Sequence, residues 1–427
     1  MSRIRKSSLF TTFHTLISET AAPGAPAKMV QPKPTSPSVH NHNQADGYKR
    51  STAPTALPLH KIVTAKLFPL DATTSFKDYM KRKELDRAQD ALLRLLPFYT
   101  GSSTYADTNA AVNADTQDST DPRTSEVLKV EVSKGRYMNE FTIYPKNADP
   151  SKLNHFVLIH GYGAGLGFYL KNFDEISKNP NWCIHALDLL GYGCSSRPKF
   201  DKAESIETYF LDTLETWRQK RGIDKMLMCS HSLGAYVSAL YTMKYPGHVQ
   251  KLLCISPAGI YKDPKPPGEI PVWFDWLWEK SVSPFALVRN AGPFGSMVTS
   301  GWTSRRFAKL TEKEQNLLHD YTYRIFNAPG AGEYYMPQIL AAGGVPKTPL
   351  VDKIENITCD TVWAYGDEDW MPRQGGIDCT KKITEHTPYN SDVIEFSSSG
   401  HHIYLDNYSK FNKYLVDEMK NYEKVYA

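Results

Sequence analysis

The chain has 427 residues, 41% of them apolar and 22% charged, with a formal net charge of +4. This is ordinary globular composition, long enough for one large domain or two modest ones. No long Lys/Arg cluster stands out, which argues against nucleic acid as a partner. No apolar run approaches the roughly 20 residues of a spanning helix, so any membrane contact is expected to be peripheral.

The first residues, MSRIRKSSLFTTFHTLISET, hold Arg3, Arg5 and Lys6, several hydroxyl residues and no acid before Glu19. Leu9, Phe10, Phe13, Leu16 and Ile17 can share one helical face. A basic, hydroxyl-rich, acid-poor amphipathic stretch has the composition of a mitochondrial transit peptide; the alternative is a disordered tail. Residues 1–30 are taken as the targeting segment. Residues 31–74 read as a disordered linker, because Pro, Ala, Ser, Asn and His offer too little apolar surface to offset the entropy of ordering. His40, His42 and His60 fall there and read as solvated. The globular domain is expected over 75–427.

Leu85, Ala88, Leu92 and Leu95 recur at helical spacing, which predicts a helix over 75–96 stopped by Pro97. A polar loop spans about 101–125. Two strand-like runs, 127–132 and 137–144, read as an antiparallel hairpin at a sheet edge. A buried strand at 155–159 then runs into His160-Gly161-Tyr162-Gly163. A second, 183–188, leads to a glycine-punctuated loop, and a helix is expected over 206–221. Alternation of this kind implies a mostly parallel sheet. The pattern changes over about 261–345, where prolines, tryptophans and phenylalanines mix with Arg289, Arg305, Arg306 and Arg324. This segment reads as an inserted helical cap. Its aromatic residues with nearby cations suit an acyl chain joined to an anionic headgroup. Strands at 361–366 and 391–396 and a helix from about 407 close the domain. The six cysteines, Cys183, Cys194, Cys229, Cys254, Cys359 and Cys379, show no C-x-x-C pair and no metal spacing. Core thiols in a reducing compartment are expected, with no metal and no cofactor.

The chemistry concentrates at Met226-Leu227-Met228-Cys229-Ser230-His231-Ser232-Leu233-Gly234. An apolar strand ending in a tight turn with serine at its tip, then a helix, has the form of a nucleophile elbow. Ser230 stands where glycine is usual. Asp369 follows the strand at 361–366 as Gly-x-x-Asp, with Asp367 and Glu368 as competing acids. His401 follows the last strand after Gly400, with His402 as its alternative. Serine needs a base in hydrogen-bond reach, imidazole titrates near neutrality, and the acid fixes its tautomer. Backbone N–H groups of Tyr162 and Leu233 are the expected oxyanion donors.

Together these residues resemble the α/β-hydrolase-domain lipases. Within them the resemblance is to the branch of the lysophosphatidic-acid acyltransferase-like proteins and the fungal mitochondrial cardiolipin-specific deacylase. It is carried by His160-Gly161-Tyr162-Gly163-Ala164-Gly165, Ser230-His231-Ser232-Leu233-Gly234, Tyr365-Gly366-Asp367-Glu368-Asp369-Trp370-Met371 and Gly400-His401-His402-Ile403-Tyr404-Leu405-Asp406, with Gly292-Pro293-Phe294-Gly295-Ser296 in the cap. The resemblance covers about 140–427. It implies an α/β-hydrolase fold with a mostly parallel sheet and an inserted helical cap.

As function it implies a serine hydrolase that deacylates a membrane phospholipid, cardiolipin foremost, at the mitochondrial inner membrane surface. The alternatives are a lysophosphatidic acid acyltransferase and a catalytically silent lipid-binding regulator. His401 and Asp406 form the spacing that the family associates with acyltransferase activity. On the bland reading, Asp406 only caps a helix or orients the loop. The oligomeric state is not legible.

Overall fold

The computed structural model describes residues 71–101, 120–261, 276, 278–280, 282–341 and 345–426. The expected targeting segment and the linker up to residue 70, including His40, His42 and His60, lie outside them, as does most of the polar loop before the first strand; the last residues of the expected linker, 71–74, instead open a helix capped by Asp71.

Eight strands form one sheet: β1 Arg123–Ser133, β2 Arg136–Pro145, β3 Asn154–Ile159, β4 Trp182–Asp188, β5 Met226–His231, β6 Val249–Ile255, β7 Asp360–Gly366 and β8 Ser391–Phe396. Their order is β1-β2-β4-β3-β5-β6-β7-β8. β2 is antiparallel to β1 and β4; the other pairings are parallel. The central strands are apolar on both faces because both are covered. Phe156 and Leu158 enter one buried cluster and Val157 and Ile159 the other. The chain leaves β3 toward β4 on one side and leaves β5 toward β6 on the other. The carboxyl ends of β3 and β5 therefore flank a topological switch point, where a crevice opens for ligands.

The helices of six or more residues among the described ones are α1 Ala72–Met80, α2 Leu85–Leu93, α3 Leu170–Ile176, α4 Asp212–Lys220, α5 Leu233–Lys244, α6 Phe285–Asn290, α7 Gly295–Arg306, α8 Glu312–Asn327, α9 Arg373–His386 and α10 Tyr408–Val425. α6, α7 and α8 are inserted between β6 and β7 as the expected cap. Its base is pinned where Leu350 N–H and Val351 N–H donate to Gly259 O and Ile260 O at 2.9 and 3.1 Å.

Two expected elements need correction. The helix expected over 75–96 is two helices. The first begins earlier because the Asp71 side chain accepts from Thr74 N–H. It stops at Lys81, whose carbonyl accepts from Arg324 Nε of α8 at 2.9 Å. The two helices serve different neighbours: α1 packs on α7 and α2 on α8. The helix expected over 206–221 opens with a π turn at Glu207–Leu211 before α4. The last helix begins where expected, at Tyr408, after a separate helical turn over Ile403–Asp406. All six cysteines are buried free thiols. Among the described residues no helix is long and apolar enough to cross a membrane.

One buried polar network ties β2 and β4 to α4. Glu140 on β2 receives His185 Nδ1 at 2.7 Å and Trp217 Nε1 of α4 at 2.9 Å, with Arg221 Nε at 3.1 Å. These partners hold the fully buried carboxyl below its usual range against the opposing effect of burial. Burial also opposes charge on His185, but Cys183 and Glu140 overcome it and raise the imidazole to about 9. Removing one partner leaves the other charge buried, which costs about 3 to 5 kcal/mol. The Glu140 contribution is lost as pH falls below its depressed pKa, and that of His185 as pH rises through about 9. Glu140→Gln should therefore lower the melting temperature most between about pH 5 and 6.5 and progressively less toward alkaline pH. Thermal melts of both proteins across pH check this; a pH-independent difference would refute it.

Candidate active site

β5 ends at His231 and α5 starts at Leu233, so Ser232 alone turns the chain. Its φ of 53° and ψ of −117° are sparsely populated for a side-chain-bearing residue. Surrounding hydrogen bonds hold the turn. Ser232 N–H donates to Ile255 O at 2.9 Å, and Ser232 O accepts from Ala235 N–H and Ala258 N–H at 3.1 and 3.2 Å. Close packing makes two glycines necessary. A Cβ on Gly234 would lie 2.4 Å from His160 O, and one on Gly161 would lie 2.7 Å from His231 Nδ1 and 2.9 Å from the Ser232 Cβ. Ser230 fits in place of the usual glycine because its fully buried hydroxyl pairs with Ser238 Oγ of α5 at 2.7 Å.

The structure brings together the three residues expected from sequence. His401 Nε2 lies 3.1 Å from Ser232 Oγ, and His401 Nδ1 lies 3.1 Å from Asp369 Oδ1. In the tautomer that donates from Nδ1 to Asp369, Nε2 is left to accept the serine hydroxyl. Asp369 Oδ1 also accepts from Met371 N–H at 3.0 Å. Ser232, Asp369 and His401 are 7%, 3% and 8% exposed, so water is largely excluded from their contacts.

The competing residues do other things. Asp367 receives Ser398 N–H and Ser399 N–H at 2.9 and 3.0 Å and shapes the loop that carries His401. Glu368 is exposed. His402 is buried against Phe168, Trp302 and Tyr404. Asp406 Oδ2 accepts from Gly400 N–H at 3.0 Å, which ties it to the residue before His401.

Leu233 is the first residue of α5, where the N–H groups have no intrahelical acceptor. Tyr162 follows Gly161, which presses on Ser232 from the tip of β3. Both expected oxyanion donors thus belong to segments that meet at the serine. The loop between them is held from behind. His160 Nδ1–H donates to Gly161 O at 2.7 Å while Nε2 accepts from Leu189 N–H at 3.1 Å. Burial keeps this imidazole neutral by pushing its pKa down. Asp188 accepts from Leu166 N–H, Cys194 N–H and Asn139 Nδ2 at 2.6, 2.7 and 2.7 Å. The cap closes above: the Tyr162 ring stacks on Phe285 of α6 with centroids 5.1 Å apart. Tyr162, Trp278, Ser283, Glu333 and Met336 line a small cleft beside it.

Sequence reasoning missed His231. Its Nε2 bonds His401 O at 2.8 Å, and Tyr404 OH lies 3.4 Å from its Nδ1. Burial drives its pKa well down, with further lowering from His401. A neutral imidazole thus clamps the elbow to the histidine loop. Only its place between Ser230 and Ser232 could have drawn attention to it. Away from the site, His155, Cys183 and His185 each offer a ligand atom within 4.8 Å of the others, the kind of group that can hold a metal ion. His185 already bonds His155 at 3.0 Å and Glu140 at 2.7 Å, so the two nitrogens of His185 are satisfied within the protein.

Residues 154–408 match the family profile described as alpha/beta hydrolase fold. The chain is 32% identical over 292 residues to a 1-acylglycerol-3-phosphate O-acyltransferase of Arabidopsis thaliana, covering 64% of this chain and 68% of that one. It is 31% identical over 293 residues to a human (lyso)-N-acylphosphatidylethanolamine lipase, covering 65% and 81%. Among solved structures, naproxen esterase from Bacillus subtilis superposes with a TM-score of 0.50 at 14% identity, covering 70% of this chain and 92% of that one, a likeness of fold.

Ser232→Ala should abolish labelling by a fluorophosphonate probe while leaving the melting temperature within about 2 °C, since it removes one oxygen and keeps the backbone bonds that hold the turn. Mass spectrometry of the labelled protein checks it. Label retained on the variant would remove Ser232 from the role of nucleophile.

Proposed function

Because the chain belongs to the alpha/beta-hydrolase fold family, we propose that it is a serine hydrolase that deacylates a membrane phospholipid, with Ser232, His401 and Asp369 as its triad. It is an ester hydrolase with phospholipid-related relatives; the proposal concerns the triad and the particular ester. The observation that carries it is the strained Ser232, whose Oγ lies 3.1 Å from His401 Nε2 beneath an aromatic cap.

On this reading, Ser232 Oγ attacks the ester carbonyl as its proton passes to His401 Nε2. Asp369 stabilises the imidazolium, and the N–H groups of Tyr162 and Leu233 receive the negative oxygen. Collapse breaks the ester bond, and His401 returns the proton to the departing lysolipid alkoxide. The acyl-serine is then attacked by water that His401 deprotonates, releasing the fatty acid and restoring Ser232.

Cardiolipin is the proposed substrate and the mitochondrial inner membrane surface the proposed location. Support comes from the resemblance to the fungal deacylase and from the basic, acid-poor N-terminus. The second reading, an acyltransferase, differs only in the acceptor, a lysolipid hydroxyl in place of water. The acyltransferase relative favours it. The bond from Gly400 N–H to Asp406 favours hydrolysis, because it gives Asp406 a positioning role without a second catalytic centre. A silent regulator is disfavoured by the intact Ser232, His401 and Asp369.

The purified protein should release fatty acid from cardiolipin-containing vesicles faster than it acylates lysophosphatidic acid. Asp406→Asn should lower both reactions in parallel, by roughly tenfold, because both use His401. Kinetics of the two reactions decide. Selective loss of transfer would rank the acyltransferase first, and a lack of activity on any phospholipid would refute the substrate class. Removal of residues 1–30 should leave activity in a lysate and shift the protein out of the mitochondrial fraction; persistent co-fractionation would refute the targeting proposal.

A further inference from the structure

Four arginines in the cap could meet an anionic headgroup, and the structure separates them. Arg289 Nη2 pairs with Glu333 Oε1 at 2.6 Å. Arg324 pairs with Asp320, one turn away, and donates to Lys81 O at 2.9 Å. Their charges serve the fold. Arg305 and Arg306 sit side by side at the end of α7. Burial first, and Arg306 second, make charge on Arg305 less favourable.

Arg306 is the better placed. Its nearest recorded carboxylate oxygen, Asp406 Oδ2, is 3.8 Å from Nη1 and already accepts Gly400 N–H. Its Nε is buried without a hydrogen-bond partner among the described residues. A guanidinium left this way is costly, and a planar fork of donors fits two phosphate oxygens. The surroundings share the bias. Lys309 Nζ donates to Asp406 O and Ser398 O at 3.0 and 3.4 Å. Asp406 thus meets two cations, Arg306 through its carboxylate and Lys309 through its backbone carbonyl. The group also adjoins the histidine loop. Arg306 lies 5.7 Å from the Trp302 ring, and Trp302 packs at 6.1 Å on His402, the neighbour of His401. His402 is buried, and its Nδ1 likewise has no partner among the described residues.

We infer that Arg306 is a headgroup residue that binds the phosphate of the substrate while its ester carbonyl sits at Ser232. The inference rests on the phospholipid reading above. In a glycerophospholipid a short three-carbon unit joins the ester to the phosphate, so the phosphate binds near the residues that hold the ester, and Arg306 adjoins the His401 loop. Asp406 serves as the loose counter-ion when the site is vacant. Its bond to Gly400 makes the loop sensitive to what Arg306 holds.

The test is the ratio of kcat/KM for a phospholipid in mixed micelles to that for a neutral short-chain p-nitrophenyl ester. Arg306→Gln should lower this ratio about tenfold, mainly through KM for the phospholipid, and Arg306→Lys should recover part of it. A merely structural role would lower both substrates together and leave the ratio unchanged, which would overturn the inference. If wild type prefers phospholipid and Arg306→Gln keeps that preference, the inference alone falls. If wild type cleaves the neutral ester but not phospholipid, the phospholipid reading falls and the inference with it. Should Arg306→Gln fold poorly, Arg306→Lys carries the test, since loss of the two-point fork alone should lower the ratio severalfold.

Discussion

The structure depends on one backbone position. Ser232 holds a conformation that costs on the order of 1 to 3 kcal/mol, and it persists only because its surroundings leave no alternative. β6 holds its N–H, α5 and the chain after β6 hold its carbonyl, and the tip of β3 packs against it through Gly161. The strain places a hydroxyl at the switch point of the sheet, ahead of the free N–H groups of α5. It also explains why the loop after β3, the elbow and the histidine loop cannot be rearranged separately. His231 makes this explicit, since one imidazole bonds the carbonyl of His401 and lies against Gly161.

Around this point the protein uses buried polar groups as fasteners. Asp188 gathers two backbone N–H groups and Asn139, so the loops after β3 and β4 move as one. His160 is held neutral in a single tautomer by Leu189 and Gly161. Glu140 and His185 do similar work within the sheet. Each such group is satisfied by fixed partners, which gives rigidity where a hydrogen bond about 3 Å long must stay aligned for proton transfer.

The cap is held differently. It rests on the sheet through aromatic contacts such as Tyr162 with Phe285, and on α1 and α2 through polar ones. Ser75 Oγ donates to Pro293 O and Ser296 Oγ to Asp78, both at 2.5 Å. The residues before the sheet therefore form part of the cap's support. Arg289 and Arg324 of the cap are paired with carboxylates, while Arg306 beside the histidine loop keeps its nearest carboxylate at 3.8 Å.

Much of this was legible in the sequence, for local reasons. Apolar runs of strand length, Gly-rich turns after them, and the order Ser232, Asp369, His401 are all short-range patterns. They placed the strands that carry the site and the three residues that meet there. What the sequence could not decide was long-range. That helix 75–96 breaks at Lys81 depends on Arg324, some 240 residues later. That Ser230 is tolerated depends on Ser238 across the turn, and that Asp406 holds the His401 loop depends on the chain folding back to Gly400. Arg289, Arg305, Arg306 and Arg324 look alike as letters; only the positions of Glu333, Asp320 and Asp406 tell structural charge from available charge. The sequence alone determined which residue types stand at the ends of which strands. Only the tertiary structure decided how they are paired, because a charge or a hydrogen bond is settled by neighbours in space that spacing along the chain does not encode.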